Sequence, residues 1–115
     1  MRLYAGDFAA AFRFYSESLG LKPVGGDAAG PYAVFDTGGA QLAVERIAPT
    51  HPAYAELVGR FAGVSFMVAD LGALYQELTA RGVEFMAPPQ QQAWGGGIAH
   101  FRDPAGNILS VVGKL

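Results

Sequence analysis

Few side chains in this chain of 115 residues are suited to chemistry on their own. There is no cysteine, which excludes disulfides, thiolate metal sites and a cysteine nucleophile. His51 and His100 are the only imidazoles. His100 can serve as a general base near neutral pH, or simply as a hydrogen-bonded strand residue. Ser65 and Ser110 fall inside apolar strand patterns without the sharp strand-to-helix turn that presents a serine nucleophile. The glycines of "WGGG" (94–97) precede a strand instead of opening a helix, so they are not a phosphate-binding loop. What remains is recognition chemistry. Arg2 and Glu45 can hold a polar ligand or pair with each other at a sheet rim. Tyr4 and Tyr32 can donate hydrogen bonds or only pack. Trp94, in "APPQQQAWGGGI", can stack over a flat ligand, plug one end of the fold or meet a second copy.

The elements that must position these residues follow from hydrophobic spacing. "RLYAGD" alternates as a short strand, and Asp7 is a good helix N-cap. Phe8, Ala11, Phe12, Tyr15 and Leu19 then form one apolar helix face that Gly20 stops. "LKPVGG" reads as a strand, and "YAVFDTGGAQLAVERI" as a hairpin turning at Thr37–Gly39. Pro49, His51 and Pro52 mark a connector with a helical turn or two after it. The order then repeats: strand "GVSFMVAD", a helix capped by Asp70 and ended by Gly82, strand "VEFM", the Trp94 loop, and a hairpin "IAHFRDPAGNILSVV" turning at Asp103–Asn107. Asp7 falls on Asp70, Phe12 on Tyr75, Phe35 on Phe101 and Ala43 on Ser110, an internal duplication. The expected fold is α+β, a single domain of two β-α-β-β-β modules. These span 1–47 and 62–115, joined by a connector at 48–61, and form a cupped, mostly antiparallel sheet with helices outside.

Composition bounds the partners. With 51% hydrophobic and only 16% charged residues, some apolar surface is expected to line a pocket or to be covered in a homodimer. A net charge of −2 with scattered lysines and arginines offers no footprint for nucleic acid. No apolar run reaches the roughly 20 residues that span a bilayer, and no signal-peptide pattern follows Met1, so no membrane association and a cytoplasmic location are expected.

"GDFAAAFRFYSESLGL" and "WGGGIAHFRDPAGNILSV" resemble the vicinal oxygen chelate superfamily, which includes glyoxalase I, extradiol dioxygenases, fosfomycin-resistance transferases and bleomycin-resistance proteins. The resemblance covers nearly the whole chain. It implies the duplicated fold and, in the family's enzymes, metal ligands on the first and last strands of each half. Carried over one at a time, the first of these positions falls immediately before Met1, and the others fall on Ala43, Val64 and Ser110. Alanine and valine donate nothing to a divalent cation and a serine hydroxyl is a poor donor, so no metal and no cofactor are expected.

Alternation places Arg2 and Tyr4 on the face of the first position, and Gln41 and Glu45 on that of Ala43. Phe66 and Val68 share the face of Val64, and Ile108 and Val112 that of Ser110. These residues either line a small-molecule pocket or fill a core. The resulting expectation is a metal-independent small-molecule binding protein resembling the bleomycin-resistance branch. It has no catalytic residues and takes an apolar or aromatic ligand through Tyr4, Gln41, Glu45, Phe66, Trp94, His100 and Ser110. The alternative is a metal-dependent glyoxalase- or dioxygenase-type enzyme with ligands supplied upstream or by the other protomer.

Overall fold

A computed structural model describes residues 1–115. Strand β1 (Arg2–Ala5) leads into helix α1 (Phe8–Arg13), which continues as a π-helical turn, Phe14–Ser18. Strands β2 (Lys22–Gly26), β3 (Tyr32–Asp36) and β4 (Leu42–Arg46) complete the first module. The short helix α2 (Tyr54–Leu57) follows, and the second module contains β5 (Phe61–Asp70), α3 (Leu71–Ala80), β6 (Glu84–Phe85), β7 (Gln90–Gln91), β8 (Gly97–Arg102) and β9 (Ile108–Lys114). The two caps act alike: a carboxylate oxygen of Asp7 accepts from the Ala10 N–H at 3.1 Å, and one of Asp70 from the Ala73 N–H at 2.9 Å. No helix is long and apolar enough to cross a membrane.

The architecture is α+β with the module repeated. One sheet runs β1-β4-β3-β2 and the other β5-β9-β8-β6, with β7 pairing beside β8 in the stretch expected to be only a loop. In each module the first strand lies parallel to the last and the rest are antiparallel. The sheet is thus divided into two pieces within the chain, and β1 and β5 each stand at an edge. One face of each sheet is buried under helices in a common core. Leu3, Phe35 and Leu42 supply it from the first sheet and Phe101, Leu109 and Val111 from the second. Phe14 and Tyr15, on the π turn, knit the two together. The Phe14 ring lies 6.1 Å from Phe101, and the Tyr15 ring 5.8 Å from Phe35.

A buried polar network ties the modules at the "RDPAGN" turn. The Tyr15 hydroxyl donates to a carboxylate oxygen of Asp103 at 2.7 Å. The Asn107 side-chain amide donates to the Tyr4 carbonyl and to Asp103, each at 3.0 Å, while its oxygen accepts from the Gly59 N–H at 2.9 Å. Burial, and then the charge of Asp103, push the Tyr15 phenol above its ordinary value. The unfolded chain ionises this tyrosine near pH 10 and the folded chain only at higher pH. The stabilisation is therefore complete below pH 10 and is lost above it, at up to about 1.4 kcal/mol per pH unit from this group. Unfolding by urea between pH 8 and 11 should show this slope in the native chain and a shallower one in Tyr15→Phe; equal slopes would contradict it.

Candidate functional site

Burial identifies the face of each sheet that is available to a ligand. In the first module Leu3, Ala33, Phe35, Leu42 and Val44 point into the core, so their neighbours point away from it. Across that open face Arg2 pairs with Ala43, Tyr4 with Glu45, Tyr32 with Glu45 and Val34 with Ala43. Arg2 Nε lies 3.5 Å from a carboxylate oxygen of Glu45. Tyr4 and then the Glu45 charge raise the pKa of this exposed guanidinium. Arg2, Gln41, Ala43, Val34 and Met1 border an open depression of about 480 Å³. Of the expected residues, Tyr4 and Glu45 therefore belong to the open face of the first sheet, and Gln41 borders it just ahead of β4.

The open face of the second sheet is organised around a histidine. His100 stands opposite Ser110 in the β8–β9 pair, and its Nδ1 lies 2.7 Å from the Ser110 hydroxyl. Phe61 meets the imidazole edge-on, with ring centroids 6.0 Å apart. Ser65 sits beside Ser110 across the β5–β9 pair. Ile98, Ile108 and Val112 supply half-buried apolar surface, and Met67 is exposed. A small hollow of about 60 Å³ adjoins this face between Met86, Pro88, Ile98 and His100. The result is one short polar pair framed by apolar side chains, suited to orienting a ligand with a single hydrogen bond while burying its apolar surface.

The structure corrects the register on β5. Val64, onto which a family ligand position carries over, is buried in the helix-side core, and Phe66 and Val68 pack on that same side. The residue beside Ser110 is Ser65. Val64, Phe66 and Val68 keep their period of two, so all three face the core together, and the position carried over from the family lies one residue off. A shift of one residue turns every side chain to the other face. Phe66 is thus separated from His100 and Ser110 by the sheet itself. Trp94 is 61% exposed, and its indole lies against Gly96, where a Cβ would meet it at 2.0 Å. It caps the end of β8. Sequence reasoning misses Phe61, Ser65 and Ile98. One signal does point to Ser65, because the spacing that sets Asp7 on Asp70 also sets Arg2 on Ser65.

The donor set does not fit a divalent cation. Ala43, Ser65 and Ser110 occupy the strand positions concerned, and nowhere in the chain do three histidine or carboxylate side chains converge. His51, the other imidazole, accepts from the Ala53 N–H through Nδ1 before α2.

Comparison with known proteins narrows the reading. A family model described as Glyoxalase/Bleomycin resistance protein/Dioxygenase superfamily matches residues 1–111. A solved member of that superfamily from Sphaerobacter thermophilus is 29% identical at a TM-score of 0.79, covering 99% of this chain and 94% of its own. Lactoylglutathione lyase from Agrobacterium tumefaciens is 25% identical at a TM-score of 0.75, covering 98% and 90%. TnmS3, an antibiotic binding protein from Streptomyces sp. CB03234, is 24% identical at 0.73, covering 100% and 93%, a likeness of fold alone. An enzyme and a binding protein thus share this architecture, and the side chains must decide between them.

Proposed function

The chain belongs to the glyoxalase/bleomycin resistance protein/dioxygenase superfamily, and from that premise we propose that it is a metal-independent, cytoplasmic small-molecule binding protein for an apolar or aromatic ligand. The observation that carries this reading is the His100–Ser110 pair, held at 2.7 Å in an apolar sheet face where metal donors do not converge. Sequestration needs only burial and orientation, and this face offers both. The antibiotic binding by TnmS3 is in keeping with a small-molecule ligand on a shared fold. A homodimer fits the same reading. Phe61, Met67 and Tyr32 are exposed, and β1 and β5 have free edges that natural proteins usually cover. A second copy pairing at those edges would bring Tyr4, Gln41 and Glu45 of one sheet towards His100 and Ser110 of another.

Metal-stripped protein titrated with flat aromatic antibiotics, followed by calorimetry, tests the proposal. Saturable binding is expected, with His100→Ala about tenfold weaker through loss of one hydrogen bond. Thermal unfolding with nickel, zinc, manganese or iron(II) should leave the midpoint unchanged. A cation at a hundredfold excess over its dissociation constant would instead add about 2.7 kcal/mol. Such a shift, with turnover, would favour the competing reading of a metal-dependent enzyme completed by donors from the other protomer, a reading supported by the likeness to the lyase.

A further inference from the structure

Behind the second sheet, on the side opposite His100 and Ser110, an apolar cleft of about 170 Å³ lies where the two modules meet. Leu19 and Leu21, just after the first helix, form one wall. Phe66 and Val68 of β5 with Leu74 and Leu78 of α3 form the other, and Met67, 78% exposed, lies at the mouth. We propose that this cleft is a second binding site, separate from the open sheet face, for an uncharged apolar molecule of single-ring to indole size.

The lining determines the class of occupant. Thr37 is its only polar member, and the Thr37 hydroxyl is already donated to the Ala40 carbonyl. A water molecule needs two to four polar partners to be held, and Thr37 is the one polar side chain the lining offers it. A charged ligand finds no countercharge at all, and its desolvation would be uncompensated. An apolar ring meets neither penalty. The volume fits as well, since an engineered apolar cavity of about 150 Å³ stays dry and takes up benzene. The chain does not fill the space itself, although a larger side chain at half-buried Leu74 would do so. The cleft backs onto the open face, with the sheet between them. Phe101 and Val111 form its floor, and their strand neighbours His100 and Ser110 make the polar pair on the other side.

Indole and toluene are the probes, titrated into the full chain and followed by ligand-detected NMR and by methyl shifts of the leucines. Binding with a dissociation constant on the order of 0.1–1 mM is expected for ligands with so few atoms. Leu74→Trp, which fills the cleft with its own ring, should weaken it at least tenfold, whereas His100→Ala should leave it within about twofold. Leu21→Lys, which places a charge at the wall, is the second variant and should weaken binding similarly if Leu74→Trp fails to fold. No saturable binding, or loss in His100→Ala with retention in the filled variants, would overturn the proposal. Occupation of the cleft by a second copy would overturn it too, and would appear as competition that grows with protein concentration. None of these outcomes depends on the proposed ligand of the open face.

Discussion

Replacing Asn107 with alanine is expected to cost about 3–4 kcal/mol and to lower the unfolding midpoint by more than about 10 °C. The side chain is fully buried and works in three directions at once. Its amide donates to the Tyr4 carbonyl in β1 and to the Asp103 carboxylate, and its oxygen accepts from the Gly59 N–H ahead of β5. Alanine leaves these groups without that partner in a region closed to water, and each buried polar group so abandoned costs about 1–3 kcal/mol. The losses overlap because the groups share one network, so the total lies below their sum. Urea unfolding of Asn107→Ala measures it directly. A loss under about 1 kcal/mol would mean that the turn holds its place without Asn107, and that apolar packing and the Tyr15–Asp103 hydrogen bond suffice to join the modules.

The second large effect is Gly113→Ala, expected to destabilise by about 2–4 kcal/mol. A Cβ at this position would stand 2.3 Å from the Val68 carbonyl oxygen of the neighbouring strand. The obstacle is backbone, so no rotamer change relieves it; β5 and β9 must move apart. Gly25→Ala on the first sheet is the control. Its Cβ would lie 3.4 Å from that of Val34, near ordinary contact, and should cost under about 1 kcal/mol. Thermal unfolding of the two variants separates the cases. Ligand affinity should fall with Gly113→Ala as well, because the β5–β9 pair sets Ser65 beside Ser110. Equal midpoints for the two substitutions would show that the strands adjust freely.

Much of the candidate site is legible in the order of residues. Alternation assigns Tyr4, Gln41 and Glu45 to one face, and the parallel β1–β4 register places Tyr4 against Glu45 there. The family resemblance brings in Ser110, and His100 stands out as one of only two imidazoles. Their hydrogen bond is not foreseeable from either, because that bond depends on the antiparallel register of β8 against β9. Phe66 falls on the wrong face for a specific reason. Its face is counted from Val64, the position carried over from the family, and the residue that stands beside Ser110 is Ser65, so an unbroken period of two keeps Phe66 with Val64 on the core side. The "RDPAGN" segment is recognisable as a turn, but not as the joint between modules.

Local grammar is written in the chain: the caps at Asp7 and Asp70, the helices that follow them, the strands and the duplication that orders them. Those features depend on residues within a few positions of one another, and periodicity and capping chemistry are expressed over that range. Only long-range packing places β1 and β5 at the edges of two sheets. It also brings Ser65 rather than Val64 beside Ser110, and lets Asn107 reach the carbonyl of Tyr4, 103 residues away in the chain. Which face of a strand meets core or solvent is set by the distant elements packed against it, and no pattern confined to that strand carries the information.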